Sequence, residues 1–267
     1  VATTDAPVAD RLMPAGISPD LPAEPPLPRL PNAIDFWRGF ALISIFVNHI
    51  PGIYYERFTH RNVSISDSAD LFVFLAGWAL RLSTNTRGEP VPLNRLIPRL
   101  GGRAVTIYAA HLLLVTLALA MLAGAARWRD NPLLLEWHNA APVFFDPVDA
   151  HIGLAALTHQ LGYFDILPLY VVLMLMAMAF VALHRGLPGL LLPVSVAVYL
   201  AALSFRIVPP SWPVEGTWFF NPLAWQLVFV LGYLLAGEDG IGGFARRHIG
   251  VLRAVAVPIV VGALLMR

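Results

Sequence analysis

Arg38 and His49 stand eleven residues apart in the apolar stretch IDFWRGFALISIFVNHIPGIYYERF. An α-helix turns about 100° and rises about 1.5 Å per residue. The two side chains therefore share a face, roughly 20° apart, with about 16 Å between them along the axis. That spacing sets them toward opposite sides of a hydrocarbon layer. Asp35 lies three residues before Arg38 and can pair with it. Asn48 points about 100° away from His49. Asp67 and Asp70 follow in the next polar segment, three apart, where a second apolar run begins. Histidine is the usual general base near neutral pH, and a carboxylate can orient or charge it. Ionisable groups within a membrane span are costly and by default mark a functional site. The same spacing also allows a purely structural role. An Asp35–Arg38 pair can hold helices together, and His49 can satisfy a backbone carbonyl. Asp67 or Asp70 can cap the helix that follows. Spacing alone leaves both readings open.

The elements that must position these residues are membrane helices. The chain has 267 residues, is 57% hydrophobic and is only 13% charged, whereas a soluble domain is nearer 25% charged. Seven apolar spans are expected: 34–55, 70–82, 104–126, 163–183, 187–203, 221–236 and 251–266. The fold class is therefore an all-α transmembrane helical bundle. Residues 1–33 hold eight prolines and four acids, too little apolar surface to order themselves, so a disordered tail is expected there. All 18 basic residues are arginine, and there is no cysteine to form a disulfide, a thiolate zinc site or a nucleophile.

Orientation follows from the arginines between spans. With the N-terminus in the cytoplasm, inside connections carry Arg87, Arg95, Arg99, Arg103, Arg185, Arg246 and Arg247. The outside ones carry Arg57, Arg61, Arg127, Arg129 and Arg206. Seven against five favours that orientation. Trp128, Trp137, Trp212 and Trp218 suit an interfacial belt on the outer side.

Further residues invite comparison. His111 follows Tyr108 by three residues and can face the bundle, either as a satisfied core histidine or as a site residue. Asp165 and Tyr170 flank Pro168, where a kink would line a cavity. Asn221 and Gln226 can hydrogen-bond across helices. The glycines at 237, 240, 242 and 243 read as a turn after a membrane helix, not as a dinucleotide fingerprint. Nothing in the sequence has metal-ligand spacing or points to nucleic acid.

The motifs as a set are specific. Asp35-x-x-Arg38-Gly39, Asn48-His49-Ile50-Pro51 and Ser66-Asp67-Ser68-Ala69-Asp70-Leu71-Phe72-Val73-Phe74-Leu75-Ala76-Gly77 closely resemble the OpgC family. That family comprises osmoregulated periplasmic glucan succinyltransferases within the wider membrane acyltransferase-3 superfamily. RAVTIYAAH from Arg103 to His111, Asp165-Ile-Leu-Pro-Leu-Tyr170 and Phe220-Asn221-Pro222-Leu223-Ala224-Trp225-Gln226-Leu227 continue the likeness, in order, from about residue 34 to 236. The family often carries Asp where this chain has Asn48.

The resemblance implies about ten transmembrane helices, so the domain at 34–267 is expected to be incomplete at its C-terminal end. It implies an O-acyltransferase of the bacterial inner membrane. An acyl group, expected to be succinyl from acyl-coenzyme A, moves to a periplasmic glucan hydroxyl, with no bound cofactor. By the same carry-over His49 is catalytic base or transient acyl carrier, and Arg38 binds donor or holds the helix arrangement. Asp67 and Asp70 occupy the family's acidic positions near the acceptor. Asp35, Arg95, Arg99, His111 and Asn221 are the candidate substrate-binding residues. Arg95 and Arg99, with Arg103, could hold coenzyme A phosphates, or could simply record membrane orientation. O-acetylation of another surface polysaccharide and transport without chemistry are the competing functions.

Overall fold

A computed structural model describes residues 32–50, 52–59, 66–86 and 89–265; the proline-rich tail expected at 1–33 lies almost wholly outside them. The protein is an all-α membrane bundle. Its helices are α1 (Ala33–Asn48), α2 (Ser68–Ser83), α3 (Leu93–Arg129), α4 (Ala141–Phe145), α5 (Pro147–Ala155), α6 (Ile166–Gly186), α7 (Leu191–Ser204), α8 (Pro222–Leu235), α9 (Gly240–Arg247) and α10 (Ile249–Leu265). A two-residue hairpin, β1 (Asn85–Thr86) with β2 (Glu89–Pro90), links α2 to α3.

Among the described residues, α3 and α6 are each long and apolar enough to cross a membrane alone. The pair α8 and α9 qualifies together but bends by 67°. The spans expected at 187–203 and 251–266 are shorter apolar helices, and the span expected at 34–55 ends as an α-helix at Asn48. The third expected span begins earlier than hydropathy suggests, because helix α3 continues back through Pro98 to Leu93. Pro168 does not kink its helix. It falls in the first turn of α6, where its missing N–H has no intrahelical partner to lose. The glycine-rich turn expected after α8 is instead helix α9.

The central core joins α2, α3, α6 and α8 through Val73, Leu96, Leu100, Leu169, Leu173, Phe229 and Tyr233. α2 and α8 meet at two reciprocal glycines. A Cβ on Gly77 would overlap the Phe229 carbonyl, and one on Gly232 would overlap the Phe74 carbonyl. Small residues let membrane helices approach this closely, and dispersion replaces the hydrophobic drive that lipid removes. α7 is tied to α8 by a buried polar pair. The Ser195 hydroxyl donates to Gln226 Oε1 at 2.6 Å, and Gln226 Nε2 donates to the Ser195 carbonyl at 2.8 Å.

The polar region after α3 folds into a cap of its own. Val143, Ala150, Leu154 and Leu161 pack on Val115 of α3. The loop after α7 docks against this cap, with Trp212 N–H donating to the Thr158 carbonyl at 3.2 Å. Trp218 is not a belt residue: it is buried against Leu157 and Val171.

Candidate functional site

Four chain segments end around one cavity of about 490 Å³. The C-terminal end of α1 brings Asn48 and His49, and the start of α2 brings Asp67 and Ala69. The entry to α6 brings Tyr163, Asp165 and Ile166, and the entry to α8 brings Phe219 and Phe220. These are the same ends of α2, α6 and α8, so the cavity sits at one mouth of the bundle.

His49 is exposed at this mouth, just beyond the last helical residue of α1. Its Nδ1 lies 2.6 Å from the Ile45 carbonyl. A carbonyl carries no proton, so Nδ1 must be the donor. In the neutral ring Nε2 is then the acceptor, which is the tautomer a general base needs. Asp165 lies within electrostatic reach of His49 and places its carboxyl group in the wall of the same cavity.

Tyr163 holds the imidazole from the side. Its ring meets His49 edge-on at 4.5 Å and meets His138 at 4.6 Å on a tilt of 52°. The backbone there is set by specific contacts. Gly162 N–H donates to the His138 carbonyl at 2.9 Å, and Asn139 Nδ2 donates to the Gln160 carbonyl at 3.1 Å. Tyr163 and His138 both take left-handed backbone conformations, φ 73° and 54°. Such conformations cost about 1–3 kcal/mol each and persist only where the surroundings enforce them.

The structure places the remaining candidates as follows. Asp67 is the N-cap of α2 in a reciprocal capping box. Its side chain accepts from the Ser68 N–H and the N3 backbone, while Asp70 accepts from the Asp67 N–H at 2.9 Å. Asp67 also lines the cavity; Asp70 is not in its wall. Arg38 turns into the bundle. Its guanidinium lies 6.0 Å from the centre of the Phe72 ring, and its Nε is buried without a hydrogen-bond partner. Asp35 lies one helical turn earlier on α1. Asn48 accepts from the Thr59 hydroxyl at 2.6 Å and leaves Nδ2 unpartnered beside the cavity.

Asn221 is absorbed by structure. Its Oδ1 caps α8 through the Leu223 N–H at 3.0 Å, and its Nδ2 donates to the Ile207 carbonyl at 2.8 Å. His111 is fully buried in α3 with both ring nitrogens unpartnered, and it is not in the cavity wall. Arg95 and Arg99 are exposed on the first turns of α3. That end of α3 lies beside the C-terminal end of α6, where Arg185 donates to the Val91 and Thr84 carbonyls, so both arginines sit at the end of the bundle away from His49.

Sequence reasoning missed Tyr163 and His138. Neither sits on a helix face, so no periodicity marks them. Both lie in the polar region between α3 and α6, and nothing in their spacing joins them.

The chain matches the family model described as OpgC protein over residues 30–267. It belongs to the OpgC family. No curated protein and no solved structure matches it. The OpgC match spans the whole described bundle, so the residues around His49 and the helices that carry them fall within one family domain.

Proposed function

We propose that this OpgC-family protein is a membrane O-acyltransferase in which His49 activates the hydroxyl of a glucan. The observation that carries the reading is the 2.6 Å contact of His49 Nδ1 with the Ile45 carbonyl, which in the neutral ring leaves Nε2 to accept a proton. Family membership supports a glucan-modifying acyltransferase.

The chemistry follows from the cavity. A sugar hydroxyl is a weak nucleophile and needs its proton removed as it attacks. His49 Nε2 takes that proton, and the hydroxyl oxygen bonds to the thioester carbonyl carbon of the donor. The carbon–sulfur bond breaks, and the imidazolium returns its proton to the leaving thiolate. Asp165 stabilises the imidazolium between those steps. Phe219 and Phe220, in the same wall, offer faces on which a sugar ring can stack.

The donor is proposed to be succinyl-coenzyme A, arriving from the cytoplasm. Arg95 and Arg99 support that direction, because they gather at the end of the bundle away from His49. Arg38 lies between the two ends with a buried, unpartnered Nε. It is suited to hold an anionic acyl group in transit.

The test is the acyl content of glucan extracted from cells making wild-type protein, His49→Ala or Arg38→Ala. Mass spectrometry separates succinyl from acetyl esters. Loss of succinyl esters in both variants is expected. Unchanged succinylation by a folded, membrane-inserted His49→Ala protein overturns the proposal, and acetyl esters in place of succinyl redirect it to an acetyltransferase.

A further inference from the structure

A second cavity, of about 590 Å³, opens at the opposite end of the bundle. His184 in its wall lies 18 residues along α6 from Ile166 in the wall of the first, which is about 27 Å along the axis. We propose that this cavity binds a phosphate-bearing amphiphile, with the phosphate on Arg81 and His184 and the apolar portion along Leu192, Leu234 and Ile241.

The charge balance is the first argument. The Arg81 guanidinium lies 5.2 Å from the centre of the Tyr233 ring and donates to the Tyr233 hydroxyl at 3.2 Å. Arg185, next to His184 in the chain, spends its guanidinium on the Val91 and Thr84 carbonyls. Among the described residues neither arginine forms an ion pair with a carboxylate. A half-buried arginine satisfied only by a neutral acceptor has no ion-pair partner, and an anion entering the cavity could pair with Arg81. Asp239 is the one carboxylate in the wall, set against Arg81 and His184.

The second argument is an imidazole nitrogen without a partner. His184 meets the Tyr233 ring edge-on at 5.3 Å, and its Nδ1 is buried with no hydrogen-bond partner. A buried imidazole nitrogen without a partner is costly. A phosphate oxygen would satisfy it and Arg81 together. The entry to α9 adds to this: Asp239 is its N-cap yet makes no side-chain cap, so the first N–H groups of the helix are not taken by that carboxylate. α9 is held at the cavity by close packing, since a Cβ on Gly242 would overlap the Gly237 carbonyl.

The third argument is the rest of the wall. Pro188, Leu192, Leu234 and Ile241 are apolar, so the cavity suits an anion attached to a hydrocarbon or pantetheine-like arm better than a free ion. Two sources carry that chemistry: an anionic lipid headgroup and the phosphates of coenzyme A.

The inference stands on this cavity and not on acyl transfer at His49, so the test reads binding without turnover. The full chain is placed in phosphatidylcholine nanodiscs and titrated with radiolabelled coenzyme A. A parallel preparation in mixed phosphatidylcholine and phosphatidylglycerol is examined by native mass spectrometry for retained phosphatidylglycerol. Wild type is expected to bind one of the two, and Arg81→Gln to weaken that binding at least tenfold. Arg81→Lys should weaken it less, and Arg129→Gln, at the far end of α3, should leave it unchanged. Coenzyme A binding identifies the donor's phosphates; retained phosphatidylglycerol identifies a lipid headgroup. If Arg81→Gln proves unfolded by its melting curve, His184→Gln carries the same comparison. Binding of neither probe by wild type, or equal binding by wild type and the folded variants, overturns the proposal.

Discussion

Tyr163 meets the His49 imidazole edge-on, with ring centroids 4.5 Å apart, from a backbone held at φ 73°. The ring limits how far the imidazole can swing while Nδ1 stays on the Ile45 carbonyl. The contact is between ring bodies, so Tyr163→Phe should keep transfer near the wild-type rate. Tyr163→Leu should lower kcat about tenfold, with a smaller change in KM, a fraction of the 10²–10⁴-fold that general-base catalysis supplies. Steady-state rates of both variants check this; equal rates for Leu and Phe would show that the ring does not position His49.

Asp67 has two duties that one substitution can separate. It caps α2 and it lines the His49 cavity. Asp67→Ala should cost about 1 kcal/mol of stability through the lost cap. Asp67→Asn retains a capping oxygen and removes the charge. If the cap is the whole role, Asn matches wild type in both melting temperature and transfer rate; a rate loss at unchanged melting temperature assigns the carboxylate to the chemistry.

The α2–α8 contact predicts a sharp asymmetry among glycines. Gly232→Ala forces a Cβ into the Phe74 carbonyl and should destabilise the bundle by about 1–3 kcal/mol, the usual range for overpacking. Gly124→Ala on α3 meets nothing within 4 Å and should be neutral or slightly stabilising. Thermal unfolding in detergent compares the two.

His159 in the cap gives a pH dependence of stability. It is 1% exposed, and its Nε2 has no partner. Burial pushes its imidazole below the ordinary value of 6.5, and the Asn139 backbone offsets part of that. The unfolded chain therefore binds a proton at a higher pH than the folded one. Stability should be full above pH 6.5 and fall as the pH drops below it towards the folded value. His159→Phe should remove this part of the slope, measured as melting temperature between pH 7.5 and 5.5 (about one unit either side of the unmodified value).

Much of the bundle was legible because hydropathy and helical period report burial directly. The same logic put Arg38 on α1, but that helix ends at Asn48, one residue short of His49; of the two acids that could cap α2, Asp67 is the N-cap. Asp165 stood out as a neighbour of Pro168 and as the start of the Asp165–Tyr170 block; its place beside His49 depends on two chain segments meeting in space. Tyr163 and His138 were hidden because left-handed loop positions have no period to read. Asn221 was legible as polar and apolar-flanked, but the sequence could not show that both its side-chain atoms are taken up by the α8 cap and the Ile207 carbonyl. The Arg81–His184 cavity was hidden because α9 reads as a glycine-rich turn, and its close packing depends on Gly242 meeting the Gly237 carbonyl.

The central claim is that His49 Nε2 removes the acceptor's proton. Its most direct test is single-turnover transfer by purified protein in nanodiscs, from labelled succinyl-coenzyme A to glucan. Wild type should esterify the glucan and release free coenzyme A, while folded His49→Gln should lose at least about 10²-fold of that rate. Transfer by folded His49→Gln at the wild-type rate would contradict the account.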